Sequence, residues 1–188
     1  MNTLVYRAAL ILLKQHYKVE PGEMQTLMSF TYLAWSIKII FGLISDNIPI
    51  LGSRRKSYLL IMAVLQFVCM IVLGVTKVED LSLNAVSWML FCSNLSIAFS
   101  DVIVDSLAVI QARQYPEDGS EELTSYSWTC SSIGGFFGSI TAAYMVEHYE
   151  PRYFFLYESM VCLFIVIIAL RMNVSLEKDG QEKDEASE

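Results

Sequence analysis

The chain has 188 residues, of which 54% are apolar, 12% aromatic and 18% charged, and its formal net charge is −7. Its mean hydropathy is +0.45, and the apolar residues come in blocks of about twenty, the helix length that crosses ~30 Å of hydrocarbon. These features exclude an ordinary soluble domain and predict an all-α fold, a polytopic transmembrane helix bundle in a lipid bilayer. No basic or aromatic cluster is arranged to bind nucleic acid, so nucleic acid is not expected as a partner.

Six segments are predicted to form this bundle. The apolar run at residues 4–13 is too short to cross a membrane, which indicates a truncated first helix. Complete spans are predicted at residues 24–44, 57–76, 83–112, 124–146 and 153–172. Residues 1–173 are therefore expected to form one six-helix transmembrane unit. Residues 174–188 contain six acidic residues and two lysines, which is typical of a disordered tail, and we expect this tail to be cytoplasmic.

The distribution of positive charge predicts the orientation of the bundle. Arg54, Arg55 and Lys56 stand together between the second and third segments, whereas lysines and arginines are sparse in the loops at the opposite end. Short loops rich in Lys and Arg stay on the cytoplasmic side of a membrane. The loop between the second and third segments is therefore predicted to be cytoplasmic.

The fourth segment carries two acidic residues that are costly in a membrane. Asp101 and Asp105 have the i, i+4 spacing that places them on one helix face, and Asn94 falls close to the same stripe. A polar stripe on an apolar helix indicates a bundle interior or a water-filled path, and it makes these three residues candidates for binding a substrate or a proton. The alternative is a structural carboxylate, paired with a neighbour or capping another helix. Both interpretations stay open for Asp105, and the greater depth of Asp101 favours function.

Two further charges lie in predicted spans. Lys38 precedes Asp46, at the end of the second segment, by eight residues, or about 12 Å of helix. A lysine at that depth reaches the interface only in part, so it is expected to contact Asp101, Asp105 or an anionic substrate. Glu158 is interpreted as a hydrated residue near the outer interface.

The fifth segment carries a packing signal. Gly134 and Gly138 form a GxxxG pattern, and Gly135 belongs to an adjacent row of small residues. Small residues at every fourth position let a neighbouring helix backbone approach closely. The pattern predicts tight helix packing and says nothing about a ligand.

A charged turn follows the second segment. Its glycines are Gly42 and Gly52, its acidic residue is Asp46, and its basic residues are Arg54, Arg55 and Lys56. An aspartate at a helix end that pairs with arginines across a short loop can hold one conformational state and release in another. The turn resembles the signature loop of the major facilitator superfamily, and these six residues are the predicted conformational latch.

Longer stretches resemble the folate–biopterin transporter family. They are the stretch from Trp35 to Tyr58, the stretch from Asp101 to Arg113, and Ser127-Trp128 with the glycine-rich helix that follows. The resemblance implies half of a major-facilitator fold and membrane transport of folate or pterin solutes with protons. It also makes Arg113 a candidate transport residue beside Lys38. The expected partner is a second six-helix half or a second copy of the chain.

Two alternatives remain. The chain differs from the family pattern at Ile39 and Ile110. Ile110, the truncated first helix and the missing second half favour a transport-inactive, transporter-derived structural subunit of a larger membrane complex. An unrelated helical membrane protein, such as a receptor or adaptor, is the third hypothesis. The four cysteines have neither CxxC spacing nor a nearby histidine, and no nucleophile–base pair or phosphate loop is present. No metal, cofactor or enzymatic activity is therefore expected.

Overall fold

The computed structural model describes residues 3–48, 50, 55–77, 80–112 and 119–171. The helices in these ranges are α1 (Thr3–Ile11), continued by a π-helical turn (Leu12–His16), then α2 (Pro21–Ser36), α3 (Lys38–Asn47), α4 (Lys56–Val75), α5 (Leu83–Ala112), α6 (Gly119–His148) and α7 (Pro151–Arg171). No strand occurs in the described part of the chain. The predicted all-α fold class is confirmed.

Four helical stretches are long and apolar enough to cross a membrane. They are Pro21–Asn47, Lys56–Val75, Leu83–Ala112 and Pro151–Arg171. Helix α6 is long enough but begins with a polar, acidic turn and carries many Ser and Thr residues. Its crossing of the bilayer at residues 124–146 stays a prediction, as does the six-helix count of spans.

The span predicted at residues 24–44 consists of two helices. Helix α2 ends at Ser36, and Ile37 leaves the helical region with φ −100° and ψ 14° before α3 begins at Lys38. No proline or glycine stands at the break. The break places Lys38 in the first turn of a new helix, about two thirds of the way along the span Pro21–Asn47.

The tightest packing joins α4 and α7, and α4 also packs along α5. Gly74 of α4 explains the close approach, because a Cβ there would lie 2.7 Å from the Leu156 side chain and 3.0 Å from its backbone nitrogen. Phe154, Phe155 and Met70 are almost fully buried where the two helices meet. Since lipid tails are as apolar as these side chains, van der Waals fit rather than removal from water holds the helices together.

A second core cluster fixes α3 against α5. Phe41 and Tyr58 both stack on Phe99, with ring centroids 5.0 Å and 5.3 Å apart, and Ala98 and Ile103 are fully buried beside them. Aromatic pairs at these separations add specific geometry to their packing energy. This cluster fixes the relative position of the helices that carry Lys38 and the two aspartates.

Candidate functional site

Lys38 of α3 bridges both aspartates of α5. Its Nζ lies 2.5 Å from Asp101 Oδ2 and 3.2 Å from Asp105 Oδ2. The contact that the sequence predicted is thus present. The two carboxylates lie one helical turn apart, so one ammonium group can donate to both. By formal charge, two carboxylates and one ammonium leave the trio at −1.

The trio is only partly enclosed. The side chains of Lys38, Asp101 and Asp105 are 34%, 45% and 66% exposed, and the Lys38 ammonium also lies 5.9 Å from the ring centroid of Trp35. The indole Nε1 of Trp35 is buried and has no hydrogen-bond partner within the described residues. The Lys38 ammonium thus lies between Trp35 of α2 and the two aspartates of α5, and the carboxylates remain partly exposed.

The open side of the aspartates faces a groove between α5 and α6. This groove has a volume of about 490 Å³ and is lined by Asp101 and Asp105 from α5 and by Thr124, Ser127 and Trp128 from α6. Hydroxyl groups on the α6 wall supply donors and acceptors opposite the carboxylates. The arrangement suits a polar or charged solute that enters next to the ion pairs.

Three residues of the charged turn, Asp46, Arg55 and Lys56, make contacts at one end of the bundle. Arg55 Nη2 lies 3.3 Å from Asp46 Oδ1, and Arg55 Nε donates to Ser106 Oγ of α5 at 3.3 Å. Lys56 Nζ donates to the backbone carbonyl of Leu170 at 3.1 Å. These contacts link the end of α3 to α5 and the start of α4 to the end of α7.

Gly42 supports the same region. A Cβ at Gly42 would lie 3.5 Å from Val102 of α5, an ordinary contact distance, so α3 and α5 are close but would tolerate alanine there. Gly52 and Arg54 of the predicted latch, and Arg113 of the predicted transport residues, lie outside the described residues.

Asn94 lies away from the trio. Its Nδ2 donates to the Leu90 carbonyl at 3.0 Å, and its side chain lines a small cavity with Thr31, Tyr6 and Tyr32. That cavity lies among α1, α2 and α5, whereas the aspartates line the groove beside α6. Asn94 is thus on the same helix as the aspartates but in a separate cavity, and its role in binding stays a prediction.

The glycines of α6 have no close neighbour in the described structure. A Cβ at Gly134, Gly135 or Gly138 would have no atom within 4 Å. The packing predicted from the GxxxG pattern is therefore not made by the described residues of this chain. A tight contact at this face stays a prediction for a further helix.

The model of the BT1 family matches residues 1–187, nearly the whole chain. The chain belongs to the BT1 family. Among the relatives of this BT1 chain, a protein of Arabidopsis thaliana named "Probable folate-biopterin transporter 4" is 32% identical over 91% of the chain. A Synechocystis protein named "Folate-biopterin transporter" is 28% identical over 91% of the chain, and "Folate transporter 1" of Plasmodium falciparum is 28% identical over 87%.

The BT1 chain spans about a third of the length of these curated relatives, since the matched regions cover 34%, 34% and 32% of them. No solved structure matches it. The relatives are named as transporters rather than enzymes. Family membership and the four apolar helices identify this BT1 chain as an integral, multi-pass membrane protein.

Glu158 is a residue of the BT1 chain whose position the sequence interpretation misjudged. It was expected to be hydrated at the outer interface, but its side chain is buried, with only 3% exposed, on α7. It lines a second groove, among α4, α5, α6 and α7, that Asp101 also lines. The short distance of Glu158 from the start of the sixth segment indicated an exposed side chain. Its burial depends on how α7 packs on α4, which no local sequence pattern reveals.

Proposed function

We propose that the chain forms one half of a major-facilitator secondary transporter that moves folate-type or pterin-type solutes across a membrane together with protons. Membership of the BT1 family and the names of its relatives support the solute class. The observation that carries the proposal is the bridge from Lys38 to Asp101 and Asp105, because charges inside a membrane helix are retained at a cost and typically lie on a transport path.

The trio suggests how substrate and proton are coupled. Folates carry carboxylates, and a substrate carboxylate that approaches the groove competes with Asp101 and Asp105 for the Lys38 ammonium. An aspartate that loses a neighbouring cation gains affinity for a proton, because the cation favours the charged form of the carboxyl group. Binding of the anion and protonation of the released aspartate therefore favour each other, and release of the substrate restores the ion pair and frees the proton.

Other residues take supporting roles in this proposal. Arg113 would meet a second substrate carboxylate, a role that rests on the family resemblance alone. The pair of Asp46 and Arg55, 3.3 Å apart, would hold one of the two access states and open in the other, with Gly42, Gly52, Arg54 and Lys56 completing the latch. Two discrete states of this kind underlie alternating access.

A second six-helix unit would complete the transport site. Transporters of this kind bind substrate between two halves, and here the grooves beside α6 and its glycine face are open. The second unit is either a further part of the same polypeptide or a second copy of the chain.

A chimera provides the test. The region of the Synechocystis relative that this chain matches is replaced by the chain, and uptake of radiolabelled folate is measured in cells with low background uptake. We expect uptake with the unchanged sequence, and at least a tenfold loss with Lys38→Met. The matched control is Lys77→Met, because Lys77 is an exposed lysine at the loop end of α4.

A chimera that reaches the membrane at the level of the relative but takes up no folate would contradict the proposal. The structural-subunit alternative is examined by gentle extraction of the native protein and measurement of the mass and composition of its complex. A homodimer or a pair with one six-helix unit supports transport. Recovery among many different subunits supports the structural role.

A further inference from the structure

A buried acid and a buried amide lie on the wall of the groove formed by α4, α5, α6 and α7. Glu158 of α7 and Gln66 of α4 are 3% and 8% exposed, and both line this groove. Neither belongs to the ion-pair trio. Ionisable and polar side chains of membrane helices that line a groove are candidates for binding a solute.

The groove is large enough for a small-molecule ring. Its volume is about 620 Å³, within the ~300–1,000 Å³ range of small-molecule sites. Gly134, Gly135 and Gly138 of α6 also line it and project no side chain into the space. The lining thus combines glycine backbone on α6 with a carboxylate on α7 and an amide on α4.

We propose that Glu158, assisted by Gln66, binds the aminopyrimidinone edge of a pterin ring, with the ring lying against the glycine face of α6. This inference rests on the proposed function and assigns the ring end of the solute to a site that is separate from the trio. The aminopyrimidinone edge presents two parallel N–H donors, from the ring nitrogen and the exocyclic amino group. The two oxygens of a carboxylate accept such a pair side by side, and the amide of Gln66 can accept or donate at the adjoining carbonyl.

The position of Asp101 connects this ring site to the trio. Asp101 lines both grooves, so a solute whose ring lies by Glu158 can extend past Asp101 towards Lys38. A folate has this shape, with a donor-rich ring at one end and carboxylates at the other. One elongated solute would then contact a buried acid with its N–H groups and the lysine with its carboxylates.

The test measures binding rather than uptake. The chimera described above is placed in lipid nanodiscs, because the proposed site needs a second six-helix unit. Equilibrium binding of radiolabelled pterin is measured, and the pteridine that lacks the 2-amino group is tested as a competitor. We expect the unchanged chain to prefer pterin by about 10- to 100-fold, the range for a hydrogen bond to a charged group. Glu158→Gln should remove this preference, because it replaces one acceptor oxygen with a donor.

Glu147→Gln is the matched control, since Glu147 is an exposed glutamate near the end of α6, and it should keep the preference. Gln66→Met provides a second variant if Glu158→Gln does not fold, and it should weaken pterin binding. Equal binding of both pteridines by the unchanged chain, absence of pterin binding, or an unaltered preference in Glu158→Gln would overturn the inference. Folate uptake by the chimera reports separately on the proposed function, so a transporting chimera whose Glu158→Gln form discriminates normally refutes only the ring site.

Discussion

Three side chains form the charged centre of this molecule. Lys38 donates to Asp101 and to Asp105, and the polarity pattern of the fourth segment made both aspartates visible in the sequence. Ionisable residues stand out in apolar segments, which is why these positions could be selected without a structure. The sequence did not indicate which groove they face, because that depends on the placement of α6.

The two aspartates should contribute unequally to transport. Asp101 is closer to the lysine and less exposed than Asp105, at 2.5 Å and 45% against 3.2 Å and 66%. We expect Asp101→Asn to abolish folate uptake by the chimera and Asp105→Asn to reduce it by less than about tenfold, since exposed pairs are worth little. Initial uptake rates, normalised to the amount of protein in the membrane, provide the measurement.

Retention of the folded state distinguishes a transport role from a structural one. Asn preserves the shape of Asp, so Asp101→Asn should behave like the unchanged chain in size-exclusion chromatography in detergent. Unchanged pH-dependent uptake in Asp101→Asn would remove this residue from the mechanism.

Glycine has opposite roles in two helices of the bundle. Gly74 is required by the approach of α4 and α7, because a Cβ would lie 2.7 Å from Leu156. Gly135, in contrast, has open space around it. The GxxxG pattern predicted close packing at α6, whereas the close helix approach is observed at Gly74, which belongs to no such pattern.

These two positions give a paired stability test. Gly74→Ala should destabilise the folded chain by about 1–3 kcal/mol, the usual cost of overpacking, and lower its thermal unfolding temperature in detergent. Gly135→Ala should leave the unfolding temperature of the isolated chain unchanged or slightly raised, because alanine favours helix. An equal loss of stability in both variants would contradict the packing described here.

The break at Ile37 shows what local patterns miss. Apolar residues run on both sides of it, and neither proline nor glycine marks it, so the sequence indicated one span without an interruption. The stacking of Phe41 on Phe99 and the ion pairs of Lys38 place α3 against α5. Such long-range contacts override helix propensity and are not encoded in any short window of sequence.

Conformational change of the whole bundle should depend on the charged turn. Asp46 and Arg55 join the end of α3 to the start of α4, so we expect Arg55→Asp to reduce uptake by the chimera strongly. The exchange variant, Asp46→Arg with Arg55→Asp, should recover part of it because it restores the opposite charges. Uptake rates of the two single variants and the exchange variant form the measurement, and no recovery in the exchange variant would indicate that Arg55 acts through Ser106 instead.

The orientation of the molecule in the membrane gives the last prediction. Arg54, Arg55 and Lys56 follow α3 in the sequence, and short basic loops stay in the cytoplasm. The turn after α3 should therefore be cytoplasmic, and the loop that holds Asp80 should lie on the opposite side. Cells that carry the Ile48→Cys or the Asp80→Cys variant are labelled while intact with a membrane-impermeant maleimide. Labelling of the unchanged chain gives the background that comes from its own four cysteines. We expect labelling of Asp80→Cys in intact cells and of Ile48→Cys only after permeabilisation. The reverse labelling pattern would show that the bundle has the opposite orientation in the membrane. The latch would then close the outer side of the transport path rather than the inner side.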